Sequence, residues 1–187
     1  MTVFFVGGSP RSGTTLLAQV LSQAQGTNPP IQEAQYFTQL IKAYQFGRRE
    51  AKDTLKDYFS DDQDFQQFNL DLIERFFQHI KTRFPQTKTI VLKDPYLTPF
   101  FPAVESLYLD SWFLVSIRDP RDTIASMIEV GRKSNDQLKQ KLPIFANRDI
   151  PALVAFYKSF YAHVFSIRST RFRKKIALTK LVDWLIS

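Results

Sequence analysis

Near its start the chain places Gly8, Gly13, Thr14 and Thr15 around the short loop Ser9-Pro10-Arg11-Ser12. Glycines at that spacing let backbone N–H groups turn toward one point. The two threonine hydroxyls add donors, and Arg11 adds a full positive charge. Together these groups suit a phosphate-like oxyanion. Two more cations stand in matching contexts, Lys93 before Asp94-Pro95 and Arg118 before Asp119-Pro120, and Ser126 lies eight residues beyond Arg118. The chain has no Cys, so disulfides, thiol nucleophiles and cysteine-ligated metals are excluded. Two His in the whole chain argue against a histidine-rich metal site.

The elements that must position these residues are legible. Val3 to Val6 reads as an apolar strand, and Leu16, Leu17, Val20 and Leu21 recur at helix spacing. Strand, glycine turn and helix in that order aim the positive end of the helix dipole at the loop. Gly8, four residues, Gly13 and Thr14-Thr15 overlay the P-loop spacing, with Thr14 where that motif has its lysine. The lysine is what reaches the β/γ-phosphates of a nucleoside triphosphate. Its absence argues against ATP hydrolysis and leaves Arg11 as the cation inside the cradle. Residues 87–92 (TKTIVL) and 111–117 (SWFLVSI) are two further apolar strands, each ending at a cation and an Asp-Pro pair. Asp suits an N-cap and Pro the first helical position. The second pair opens a helix predicted over Arg121–Val130 and ended by Gly131. Strands alternating with helices predict an α/β fold of three layers, a mostly parallel central sheet flanked by helices. Arg11, Lys93 and Arg118 then meet at the carboxyl edge of that sheet, where such folds bind ligands.

With 187 residues and 44% hydrophobic content, 18 Phe among them, the chain is predicted to form one domain with a sizeable core. After a break at 26–30 (GTNPP), residues 34–47 carry a weaker helical pattern. DDQD at 61–64 precedes a long apolar stripe running from Phe65 to Phe84 and stopped by Pro85. Residues 150–167 carry a second stripe, including Phe156, Tyr157, Phe160 and Tyr161. His79 and His163 flank these stripes and read as structural. The net charge of +7 suits an anionic ligand. The basic run RSTRFRKK (168–175) reads as a solvated surface, and charge alone is a weak basis for nucleic-acid binding. The last residues, KKIALTKLVDWLIS, read as a short strand and a helix. No signal peptide and no membrane-length apolar run is visible, so a soluble cytoplasmic chain is expected.

The motifs in this order resemble the sulfotransferase family that uses 3′-phosphoadenosine-5′-phosphosulfate. In that family a lysine-less relative of the P-loop, here GSPRSGTTLL, holds the 5′-phosphosulfate. The resemblance thereby assigns donor binding to Gly8, Pro10, Arg11, Ser12, Gly13, Thr14 and Thr15. A later junction, here SIRDPRDTIASM, holds the 3′-phosphate through Arg118 and Ser126. Ser126 would lie about two turns into its helix, roughly 9 Å along the axis. The loop arginine, LKDPYLTPF and RDPRDTIASM are most similar to the tyrosylprotein and carbohydrate branch.

The cytosolic small-molecule branch has a catalytic histidine where this chain has Pro95. In the tyrosylprotein branch the base is a Glu after the first helix, which Glu33 matches. The resemblance implies direct in-line sulfuryl transfer to the hydroxyl of a peptide tyrosine, a carbohydrate or a small molecule. Glu33 would be the base, with Lys93 and Arg11 stabilising the leaving group. The product is 3′,5′-adenosine bisphosphate, and no metal is expected. Members of the family run longer and carry Tyr-Glu-Asp-Leu where this chain has Leu178-Thr179-Lys180-Leu181. A single domain over 1–187, short at its C-terminal end, is therefore expected. The other readings are a P-loop kinase or NTPase and a nucleotide-binding module without catalysis.

Overall fold

The computed structural model describes residues 1–50, 52–134 and 143–180. Its centre is a sheet of four strands, β1 (Val3–Gly8), β2 (Ile90–Lys93), β3 (Ser111–Ile117) and β4 (Ile176–Lys180). They lie in the order β2-β1-β3-β4, and every neighbouring pair is parallel. The register brings the strand ends together. Val6 pairs with Lys93 on one side, and Gly8 pairs with Ser116 on the other, so all three loops leave the same edge. The sheet is α/β as the alternation of elements predicts.

One face carries α1 (Thr14–Leu21), whose Leu17 packs on Val6 and Val91. The opposite face carries the main core. There α2 (Gln35–Arg49), α4 (Asp62–Arg83), α5 (Phe101–Leu107), α8 (Ile150–Ser166) and α9 (Thr170–Lys175) pack together. The short α3 (Lys52–Leu55) links α2 to α4. Phenylalanine makes this core. Phe5 stacks on Phe37 at 5.2 Å and on Phe113 at 5.8 Å, and Phe113 meets Phe101 at 4.7 Å and Phe172 at 5.3 Å. All five rings are buried, and rings at these separations add to the burial of their area.

The long stripe of α4 is only partly core. Ile73 and Phe77 are buried, while Phe68 and Leu72 stay exposed. A helix of 22 residues is about 33 Å long, well beyond the reach of a sheet whose strands have four to seven residues. Asp61 caps it by accepting the N–H groups of Gln63 and Asp64, as acidic residues at 61–64 suggested.

The helix after β3 departs from expectation. It runs through Gly131 as α6 (Pro120–Lys133). Gly131 is buried in the last turn of α6 against α7 (Pro143–Ala146), where a Cβ would overlap the carbonyl of Phe145. The glycine therefore marks a close helix crossing and not a helix end. The strand expected near the C-terminus is β4, while the helix expected after it falls outside the described residues. Among the described residues, no helix is long and apolar enough to cross a membrane.

Because the Phe145 carbonyl is backbone, it cannot step aside for a methyl group. Gly131→Ala is expected to lower stability by about 1–3 kcal/mol, the usual cost of overpacking, read from the urea midpoint.

Candidate active site

The cradle is built from a helix start without a side-chain cap. Gly13 occupies the N-cap of α1 at φ 98°, no side chain among the described residues bonds to the helix start, and the first turn has no acidic residue. The first intrahelical bond runs from Leu17 N–H to Gly13 carbonyl, so the N–H groups before it are left for other partners. Arg11 also takes a left-handed conformation, φ 70°, which a non-glycine residue adopts at a cost. Alternating hands along the loop are what turns successive N–H groups inward. Gly8, at φ 134°, has no room for a side chain. A Cβ there would sit 2.5 Å from Ser116 O and 2.8 Å from Ser12 Oγ.

Neighbouring elements brace the loop from beneath. Gly8 N–H donates to Thr98 Oγ1 at 2.7 Å, and Thr98 in turn donates to the Pro95 carbonyl at 2.7 Å. Ser9 N–H donates to the Tyr161 hydroxyl at 3.0 Å, which donates to the Ser116 carbonyl at 3.0 Å. Ser116 Oγ donates to the Ser12 carbonyl at 2.6 Å. Ser12 Oγ is the one enclosed side-chain oxygen without a well-formed hydrogen bond among the described residues. Burial pushes the Tyr161 hydroxyl above its ordinary range, which keeps it neutral and able to donate.

The three predicted cations do come to this loop, from two sides. On the β2 side, Lys93 Nζ donates to Thr15 Oγ1 at 3.2 Å and to Glu33 Oε1 at 3.0 Å. Lys93 is the more enclosed partner, with 11% of its side chain exposed against 33% for Glu33. On the β3 side, Arg11 Nε donates to Ser126 Oγ at 3.2 Å, and Arg118 Nη1 approaches the Arg11 carbonyl at 3.5 Å. Arg118 also faces Asp122 at 3.9 Å, one turn along α6. Thus Glu33, Lys93 and Thr15 form one group, and Arg11, Arg118 and Ser126 another, with the helix start between them. Thr14 is buried at that start, and Pro10 lies in the loop ahead of it.

Glu33 reaches Lys93 because its loop is stitched to the free edge of β2. The Asn28 amide acts as a stand-in strand, accepting Val91 N–H at 2.7 Å and donating to the Val91 carbonyl at 3.1 Å. Thr27 bridges Thr89 before it, and Ala34 N–H donates to the Lys93 carbonyl at 2.9 Å after it. Beneath them lies Asp94, buried, accepting from Thr38 Oγ1 at 2.5 Å and from Tyr96 N–H at 2.9 Å. Burial holds its carboxyl above the usual range, against the pull of those two hydrogen bonds. At the other junction Asp119 caps α6, and its hydrogen bonds to Arg121 lower its pKa to about 2.

The model of the sulfotransferase family matches residues 4–181. The chain belongs to the sulfotransferase family. A curated relative from Caenorhabditis briggsae, described as "Putative protein-tyrosine sulfotransferase", is 30% identical over 131 residues. That match takes in 68% of this chain and 43% of the relative, so the chain spans less than half of that protein's length. Among solved structures, the sulfotransferase domain from the curacin biosynthetic pathway has a TM-score of 0.63 at 16% identity, covering 98% of this chain and 68% of that one. A sulfotransferase from Alicyclobacillus acidocaldarius has a TM-score of 0.57 at 16% identity, covering 99% of this chain and 75% of that one. At such identities these structures establish the shared fold.

Within this candidate site, Tyr161, Thr98, Ser116 and Asn28 escape sequence reading. Tyr161 sits in an apolar stripe where its ring looks like core, and nothing local reveals that its hydroxyl reaches the loop. The basic run 168–175 proves to be partly a clamp at the opposite end of the sheet. Arg171 pairs with the buried Glu105, Arg173 donates to the Ile167 carbonyl at 3.2 Å, and Lys175 bonds the Leu109 carbonyl. Among the described residues, no group of three His, Asp or Glu is placed to hold a metal.

Asn28→Ala would strand both backbone groups of Val91. The expected cost is about 1–3 kcal/mol, with faster hydrogen exchange at the Val91 amide; an unchanged exchange rate would contradict the stitching role.

Proposed function

We propose that this chain transfers a sulfuryl group from 3′-phosphoadenosine-5′-phosphosulfate to an acceptor hydroxyl by direct in-line displacement. The observation that carries this reading is the division of polar groups around one uncapped helix start. A base-and-lysine pair stands on one side, and an arginine-and-serine pair on the other. A donor with a reacting 5′-phosphosulfate and a separate 3′-phosphate calls for two such subsites. A triphosphate would instead call for the lysine that Thr14 replaces. The loop suits a tetrahedral oxyanion on physical grounds as well: with no Cβ at Gly8, the backbone of β3 and the Ser12 hydroxyl pack close against the loop and hold its turn.

The residues then divide the work. Gly13, Thr14 and Thr15 offer N–H and hydroxyl donors to the 5′-phosphate, with Gly8, Pro10 and Ser12 shaping the loop around it. Arg118 and Ser126 take the 3′-phosphate. Glu33 accepts the acceptor's proton, and its pairing with Lys93 at 3.0 Å keeps the carboxylate aimed. The donor supplies sulfur already bonded to a phosphate leaving group. As the acceptor oxygen bonds to sulfur, the bond from sulfur to the phosphate oxygen breaks, and Lys93 neutralises charge growing on that oxygen. Arg11, exposed on the open side, adds to the same neutralisation.

Thermal shift with 3′,5′-adenosine bisphosphate, set against ATP with Mg²⁺, tests the donor site. Stabilisation by the bisphosphate is expected, and a response to ATP alone would overturn the reading. Arg118→Ala is expected to weaken bisphosphate binding about 10–100-fold, the size of a lost hydrogen bond between charged groups. Glu33→Gln should leave that binding intact and lower turnover about 10²–10⁴-fold.

A further inference from the structure

Ile31, two residues before Glu33, lines two hollows. The smaller, about 140 Å³, contains Lys93, Thr15 and Gln32 and so opens onto the candidate reaction centre. The larger is a groove of about 650 Å³ lined by the apolar Ile31, Phe76, Ile80 and Phe84 and by the polar His79, Thr82 and Arg83. Tyr36, 67% exposed, extends this wall, its ring 6.1 Å from that of Phe76. The groove and the candidate base therefore share one stretch of chain, residues 31–36, and the apolar surface leads to Lys93 past a single side chain. Half-buried apolar side chains that line a groove beside a polar centre, with one exposed aromatic ring at its wall, mark a place where a ligand sits.

Resting on the sulfotransferase reading, we propose that this groove holds the body of the acceptor, and that the acceptor is a hydroxyl on an apolar scaffold and not a carbohydrate. A sugar would turn ring hydroxyls toward Ile31, Phe76, Ile80 and Phe84, which offer no hydrogen bonds, and with only His79, Thr82 and Arg83 to partner the rest it would lose more bonds to water than it regained. An aromatic or alkyl body meets the same walls without that loss, and Tyr36 and Phe76 present ring faces to it. The hydroxyl then lies past Ile31, where its oxygen bonds to sulfur, its proton passes to Glu33, and the phosphate leaves.

The test uses 2-naphthol, 1-octanol and N-acetylglucosamine, titrated by calorimetry into the chain with and without saturating 3′,5′-adenosine bisphosphate. One of the apolar alcohols is expected to bind, and the sugar is not. Tyr36→Ala and Ile31→Asn should each weaken the alcohol about tenfold while bisphosphate affinity stays unchanged. Binding of the sugar in place of the alcohols would overturn the proposal, as would alcohol binding indifferent to both substitutions or no alcohol binding at all. Failure to bind the bisphosphate would instead strike the sulfotransferase reading, and the titrations without it still report on the groove.

Discussion

Everything at this site depends on a helix start left uncapped. Asp61 caps α4, Asp119 caps α6 and Asp149 caps α8, whereas α1, like α2 and α5, starts without a side-chain cap; α1 differs from those two in starting at a glycine loop on the carboxyl edge of the sheet. An open start at that edge offers unpaired N–H groups, at the positive end of a dipole, to a ligand that supplies acceptor oxygens. The fold places that start at the carboxyl edge of a parallel sheet. It then secures the loop from below with Thr98, Tyr161 and Ser116. Those bonds satisfy the loop's inward-facing backbone groups, so the outward-facing ones stay aimed at one point.

The second constraint is the exposed edge of β2. An edge strand presents unpaired backbone groups, and here the Asn28 amide and the loop through Ala34 cover them. The same cover brings Glu33 to Lys93 across 60 residues of sequence. One solution to a folding problem thus assembles half of the candidate chemistry. The other half comes from α6, whose Asp119 cap and Pro120 start fix where Ser126 stands relative to Arg118 and Arg11.

Local chemistry decided what was readable in the sequence. The strands, the glycine loop and the Asp-Pro helix starts are signals carried within a few residues, and the structure has them where the spacing placed them. The convergence of Arg11, Lys93 and Arg118 followed from one topological rule about parallel sheets. Gly131 misled because a glycine ending a helix and a glycine admitting a neighbouring backbone look alike in sequence. Tyr161 and Asn28 were invisible for a related reason. Each acts through one polar group on a partner 63 or more residues away, and no periodicity records such a contact.

The central claim is that one helix start and two flanking pairs form a single site for a nucleotide with two separate phosphates. Backbone amide shifts on titration with 3′,5′-adenosine bisphosphate test it most directly. The account predicts the largest shifts at Gly13, Thr14 and Thr15, with a second group at Arg118 and Ser126 moving at the same ligand concentration. Shifts confined to one of the two groups, or centred away from both, would contradict it.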